Sequence, residues 1–145
     1  FEDLQYCTNW FRKKLKAFHF FDTNIPIKKC LDKYLDELKN VRFDLIILGV
    51  GPDGHTASLF PNSRALTEKK KPALHTTTRQ FAVKNRLTVT FPVILGSKKI
   101  LVLLQGKEKK QIIHELISSH KSYRQFPAKK LLNHKDVTIH YSLLS

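Results

Sequence analysis

Residues 43–61, FDLIILGVGPDGHTASLFP, contain the most informative pattern of the sequence. An uninterrupted apolar run, Leu45 to Leu48, ends abruptly in a polar, glycine-rich turn that reaches His55. A consecutive apolar run with β-branched members predicts a strand that is covered on both faces, as in a parallel sheet. Because ligands bind beyond the carboxyl ends of the strands in open α/β sheets, this turn lies where a functional site is expected.

The turn contains the residue types that bring backbone and an acid–base group close to a ligand. Gly49, Gly51 and Gly54 permit positive φ and a close approach of backbone amides. His55 is the only side chain of the turn that changes charge near neutral pH, so it is the candidate general base. Asp53 could orient the imidazole, cap the following segment or satisfy the turn backbone. The structural alternative makes Asp53 a cap and His55 a hydrogen-bonded turn residue.

The segment 48–61, LGVGPDGHTASLFP, resembles the signature of the 6-phosphogluconolactonase family, within a wider group that includes glucosamine-6-phosphate deaminases. The deaminase branch shares the Asp-Gly-His core but usually continues with Ile-Ala-Phe-Asn-Glu-Pro, whereas residues 56–61 are TASLFP. The resemblance favours the lactonase. It implies an α/β fold with a mainly parallel, doubly wound (Rossmann-like) sheet and helices on both of its faces.

The segment 85–92, NRLTVTFP, alternates as a strand does, with Leu87, Val89 and Phe91 on one face. It resembles a Pro-Arg-x-Thr-x-Thr-x-Pro element of the family, with Asn85 in place of the first proline. The resemblance implies that Arg86 binds the substrate phosphate, since a guanidinium can hold phosphate oxygens bidentately. The alternative is an arginine at a strand edge in solvent.

A predicted strand at 100–105 is followed by Gly106 and several lysines, and then by a helix with apolar positions at Ile112, Ile113, Leu116 and Ile117. A lysine at such a junction can offer its ammonium to an anion beside the helix N-terminal amides. The family has a Gly-x-x-Lys or Gly-Lys pattern here. The resemblance therefore implies that Lys107 or Lys109 meets the phosphate, and Lys107 is our first choice.

The remaining pattern predicts a single domain over 1–145 in which helices and strands alternate. Apolar residues at helical spacing predict an amphipathic helix at 7–18 and a clearer one at about 26–40. Further strands are predicted near 73–77 and at 137–143. Residues 126–128, FPA, resemble a Leu-Pro-Ala turn of the family.

The resemblance begins near Thr8-Asn9, a loose match to a Ser-Asn pair of the family, and lacks two family motifs. These are a Gly-Gly-Ser-x-Pro phosphate loop and an Asp-Glu-Arg strand, so the sheet is expected to be N-terminally incomplete. The chain contains no methionine, which suggests that Phe1 is not the biological start. An incomplete sheet exposes an edge and apolar surface, so we expect self-association or a partner segment.

Composition limits the other functions. The net charge of +14 favours anionic partners, but the lysines are spread along the chain without a nucleic-acid motif, so no specific nucleic-acid binding is expected. No apolar run or signal pattern predicts a membrane protein, and a cytoplasmic location is expected. Cys7 and Cys30 show no zinc spacing, and Cys30 falls on an apolar helix face as a buried thiol.

The implied activity is hydrolysis of 6-phospho-D-glucono-1,5-lactone to 6-phospho-D-gluconate, a step of the oxidative pentose phosphate pathway. It requires an activated water and stabilisation of a developing oxyanion, and no cofactor or metal is expected. The alternatives are an enzyme of the glucosamine-6-phosphate deaminase type, an inactive truncated lactonase and, less favoured, a basic nucleic-acid-binding module.

Overall fold

The computed structural model describes residue 17 and residues 19–143. The strands are β1 (Leu45–Leu48), β2 (Ala73–Thr77), β3 (Asn85–Val89), β4 (Lys99–Gln105) and β5 (Val137–Ser142). The helices are α1 (Ile27–Glu37), α2 (Phe91–Leu95) and α3 (Lys109–Ser118), with 3₁₀ segments at Arg64–Thr67 and Pro127–Asn133. The amphipathic helix predicted at 7–18 and the Thr8-Asn9 match lie outside the described residues, apart from Ala17.

The main sheet is parallel and has the strand order β1-β4-β5. Its register pairs Ile46 with Ile100 and Val102 with Ile139. Strands β2 and β3 form a separate antiparallel hairpin. The parallel α/β fold predicted from the sequence is therefore confirmed. Because β1 and β4 run in the same direction, the turns that follow them, 49–55 and 106–108, lie at the same edge of the sheet.

The core is built on one face of the central strand, β4. Ile100, Val102 and Leu104 alternate with more exposed residues and are each at most 2% exposed. They belong to one hydrophobic cluster with Ile112 and Leu116 of α3. Full burial of such side chains contributes about 1.5–3 kcal/mol each, so this face of the sheet gives the site a rigid support.

The opposite face of the sheet differs from the prediction. Leu45 and Ile47 of β1 are 45% and 56% exposed, and Leu103 on the same face of β4 is 43% exposed. The prediction that β1 is covered on both faces is therefore wrong for the described residues. The exposure includes Leu103 of the central strand, so the described residues leave this face of the sheet largely open, beyond the outer strand β1 alone.

Several predicted elements end at other residues. The strand predicted at 85–92 ends at Val89, and Phe91 opens α2 instead of continuing the strand. Pro92 explains this, since proline suits the first turn of a helix and cannot donate to a strand ladder. Ile117, predicted to be on the apolar face of α3, is 61% exposed.

Among the helices of residues 19–143, none has the length and apolarity required to cross a membrane.

Candidate active site

The turn after β1 joins Asp53 to His55. The Asp53 Oδ1 atom lies 2.5 Å from His55 Nδ1 and also accepts the His55 backbone N–H at 3.1 Å. The side chains are only 18% and 20% exposed. With the proton on Nδ1, this arrangement leaves the Nε2 lone pair free, and Nε2 has no hydrogen bond to any described residue. Asp53 thus orients an imidazole whose other nitrogen can accept a proton.

Hydrogen bonds within the turn fix the position of His55. The Gly51 N–H donates to the His55 carbonyl at 2.8 Å, and the Gly54 N–H donates to the Gly51 carbonyl at 3.0 Å. The buried Thr56 closes the turn by donating its Oγ1 proton to the Gly49 carbonyl at 3.0 Å. Since the amides of Gly51 and Gly54 are already used, their predicted contact with a sugar stays a prediction. The observed function of these amides is to shape the turn.

Gly54 also allows a second segment to pack against the turn. It has a φ of 83°, and a Cβ at this position would collide with the ring of Phe126. The Ala128 N–H donates to the Gly54 carbonyl at 2.9 Å. Sequence reasoning related residues 126–128 to a family turn but gave them no role. In the structure they support the turn that carries His55.

Two phenylalanines flank the imidazole. The ring centroid of His55 lies 4.9 Å from that of Phe60 and 5.2 Å from that of Phe81. Phe60 lies five residues after His55 in the chain, whereas Phe81 comes from the loop between β2 and β3. Sequence reasoning missed both, since no local signal connects Phe81 with His55. Together they give the imidazole apolar neighbours.

Arg86 lies on β3, next to the segment that follows His55. It shares a strand face with Thr88, whose Oγ1 accepts the Ser58 backbone N–H at 3.1 Å. Arg86 and Ser58 both line a cavity of about 420 Å³, together with His75 and other residues. The Nε atom of Arg86 is buried and has no hydrogen-bond partner in the described chain. This leaves a cationic donor unpaired beside a cavity.

The two candidate lysines have different surroundings. Lys107 is exposed in the turn after β4. Lys109, the first residue of α3, donates from Nζ to the Val50 carbonyl at 2.9 Å and so reaches the turn that carries His55. The sequence placed both beside the site but ranked Lys107 first. The geometry brings Lys109 to it directly.

A second cavity lies against Asp53. It has a volume of about 300 Å³ and is lined by Asp53, Glu108, Glu115 and Lys121, among others. The Asp53 Oδ2 atom is buried and has no hydrogen-bond partner in the described chain. In residues 19–143, no group of three or more His, Cys, Asp or Glu side chains is arranged to hold a metal ion. Asp53 thus has one oxygen on His55 and a second oxygen that is free of partners among the described residues.

The chain is similar in sequence to known proteins over most of its length. Residues 4–140 match the sequence model of the family described as glucosamine-6-phosphate isomerases/6-phosphogluconolactonase. A probable 6-phosphogluconolactonase from Dictyostelium discoideum is 33% identical over 139 residues, which cover 90% of this chain and 59% of that protein. A 6-phosphogluconolactonase from Thermotoga maritima is 39% identical over 103 residues, 68% of this chain and 45% of that protein.

Solved structures share the fold. The crystal structure of a 6-phosphogluconolactonase from Thermotoga maritima gives a TM-score of 0.70 at 32% identity, over 86% of this chain and 55% of that one. A monomeric glucosamine-6-phosphate deaminase gives a TM-score of 0.67 at 26% identity, over 81% of this chain and 53% of that one. The chain thus spans little more than half the length of these proteins. With the family match over 4–140, this shows that the chain belongs to the glucosamine-6-phosphate isomerase/6-phosphogluconolactonase family.

Proposed function

We propose that this chain carries the acid–base half of a 6-phosphogluconolactonase site and that His55 is its general base. The observation that carries the proposal is the 2.5 Å contact between Asp53 Oδ1 and His55 Nδ1, which directs the free nitrogen of the imidazole outward from the carboxylate. Relatives named 6-phosphogluconolactonase support the substrate. Because the chain covers 59% of the first of them, the activity of the whole protein is part of the proposal.

The first step forms a bond between water and the lactone carbonyl carbon. His55 Nε2 takes one proton from the water as its oxygen attacks, and the carbonyl π electrons move to the carbonyl oxygen. The Asp53 carboxylate stabilises the imidazolium that results and keeps the Nδ1 proton in place. Burial of the pair, at 18% and 20% exposure, strengthens this interaction compared with water.

The second step breaks the bond between the carbonyl carbon and the ring oxygen. The carbonyl reforms, and the ring oxygen leaves with the bonding electrons and receives the proton from His55 Nε2. The product is the open-chain 6-phospho-D-gluconate, and His55 returns to its neutral form. The acid that is formed then loses its proton to solvent. No redox equivalent is needed, and the proposal includes no cofactor.

Cationic side chains would hold the phosphate. The unpaired Nε of Arg86 supports a role for its guanidinium, because a buried donor without a partner gains most from an anionic ligand. Lys109 contacts the turn that carries His55, and Lys107 lies in the turn after β4. We assign the phosphate to Arg86 with one of these lysines, so that the lactone ring extends towards His55.

The test is hydrolysis of freshly generated 6-phosphogluconolactone by this chain, compared with His55→Ala and with the spontaneous background. Histidine-dependent acceleration supports the proposal. Ammonia release from glucosamine 6-phosphate would instead favour the deaminase branch, to which the monomeric deaminase belongs. If the folded chain accelerates neither reaction, it does not contain a sufficient site, and the proposal is wrong for this chain.

We also propose that two copies of the chain associate through the exposed edge of the sheet at β1 and the apolar face beside this edge. The proposal is supported by the exposure of Leu45, Ile47 and Leu103 next to the edge of β1, with which no strand of the described residues pairs. An edge strand of this kind can pair with an identical strand. Specific nucleic-acid binding is not part of the proposal, and a cytoplasmic location stays a prediction.

A further inference from the structure

We propose that Phe81 is a positioning residue for His55, an inference that rests on the proposed function. The two ring centroids are 5.2 Å apart and the ring planes meet at 74°. This edge-to-face arrangement is one that aromatic rings favour. The contact places Phe81, from the loop between β2 and β3, against His55, the proposed general base.

The imidazole is held on several sides. Asp53 holds Nδ1, the Gly51 backbone lies against the ring, and Phe60 packs at a centroid distance of 4.9 Å. Phe81 adds a contact from a segment distant in sequence, and its own ring lies 5.7 Å from that of Phe60. Removal of Phe81 opens one side of the ring while Asp53, Gly51 and Phe60 stay in place, so the imidazole can turn further about its hydrogen bond to Asp53. The base is then less often aligned with the attacked carbonyl.

The loop that carries Phe81 is built to turn this residue inward. Residues 79, 80 and 82–84 are exposed, and among residues 79–84 Phe81 alone is not. The loop is closed by the Thr78 N–H, which donates to the Lys84 carbonyl at 3.0 Å. Phe81 is also absent from the hydrophobic cluster around β4. Its aromatic contacts are therefore with the site and not with the central core.

The same hairpin carries Arg86 on β3. One element would thus align the base through Phe81 and hold the phosphate through Arg86. A loss of Phe81 should lower kcat with little change in KM, because it affects the alignment of His55 and leaves the phosphate contact in place.

The direct test measures how fast diethyl pyrocarbonate modifies His55, followed by peptide mass spectrometry. Phe81→Ala should raise the rate at His55 about threefold to tenfold, the factor expected for loss of one aromatic contact. Phe81→Tyr should restore the slow modification rate of His55.

His114, exposed on α3, is the internal reference, and Gln80→Ala in the same loop is the matched control. An unchanged His55 rate in folded Phe81→Ala overturns the proposal; if that variant does not fold, Phe81→Leu takes its place.

The lactone assay separates this inference from the proposed function. If Phe81→Ala has a lower kcat with unchanged KM, and Gln80→Ala has the kcat and KM of the unchanged chain, the result supports both the positioning role and the proposed function. Faster modification of His55 in a chain that shows no histidine-dependent turnover supports the contact and refutes the proposed function. A wild-type kcat in Phe81→Ala shows that His55 needs no alignment from Phe81 and overturns the positioning role.

Discussion

The imidazole of His55 occupies the space into which a side chain at Gly51 would project. A Cβ on Gly51 would collide with the Cε1 and Nδ1 atoms of the ring. Gly51 therefore has a steric function that does not depend on its φ value. It gives the histidine a place directly over the turn backbone, where Asp53 can hold it.

Gly51→Ala should displace the His55 ring and lower kcat by about 10²-fold, since a misplacement of about 1 Å at a reacting group has effects of this size. The measurement is lactone turnover, together with diethyl pyrocarbonate modification of His55. Gly49→Ala is the control for His55 placement, because a Cβ there meets only the Leu103 carbonyl, at 4.0 Å. Equal His55 modification rates in Gly51→Ala and in the unchanged chain would contradict the steric argument.

Asp53→Asn should retain the turn but weaken catalysis. The amide oxygen can still accept the His55 backbone N–H, which Asp53 Oδ1 accepts at 3.1 Å, but the charge that stabilises the imidazolium is lost. We expect kcat to fall by about 10²–10⁴-fold, similar to His55→Ala. Steady-state kinetics with a thermal unfolding control will measure it. If the decrease in kcat equals the decrease in the folded fraction of the protein, the Asp53 carboxylate stabilises the turn and has no part in catalysis.

Arg86→Ala should raise KM about 10-fold to 100-fold, as expected for loss of hydrogen bonds to a charged group, with a smaller effect on kcat. Arg86→Lys should recover part of this because it keeps the charge but not the planar fork. Lys109→Ala should raise KM more than Lys107→Ala, since the Lys109 ammonium lies 2.9 Å from the Val50 carbonyl. A larger increase of KM in Lys107→Ala than in Lys109→Ala would indicate that Lys107 contacts the phosphate.

The Cys30 thiol should react slowly until the chain unfolds. Burial, and then the nearby Asp22 carboxylate, raise the pKa of this thiol above its ordinary value. The neutral thiol therefore stabilises the fold fully below the ordinary thiol pKa, and the contribution is lost as pH rises through the raised pKa. Alkylation with iodoacetamide, measured at residue 30 by mass spectrometry with and without denaturant, will check this. Rapid alkylation of the folded chain near pH 8 would contradict it.

Ile47→Lys should weaken self-association. Ile47 is 56% exposed on the uncovered sheet face, and a charge there disfavours burial against a second copy. Sedimentation velocity over a range of concentrations will measure the monomer fraction. Ile117→Lys, at a 61% exposed isoleucine on α3, is the matched control and should not change it. Equal monomer fractions in the unchanged chain and in Ile47→Lys would refute this interface.

The parallel α/β fold and the proximity of Asp53 to His55 could be predicted from the sequence alone. The apolar runs of β1 and β4 predict strands because each run lies within a few consecutive residues. The spacing of Asp53 and His55, two residues apart, keeps a carboxylate within reach of an imidazole in a tight turn. The strand pattern and the Asp53–His55 spacing involve only residues close together in the chain. They can therefore be identified in a single sequence.

The surroundings of these groups depend on tertiary packing. Phe81 meets His55, Phe126 meets Gly54, and Lys109 meets Val50. In each pair, segments distant in sequence are brought together by the packing of the hairpin, the sheet and α3. The exposed face of β1 was missed for the same reason. An apolar run shows that both faces of a strand are suited to burial. The strand order and the segments packed beside the strand decide which of these faces is buried.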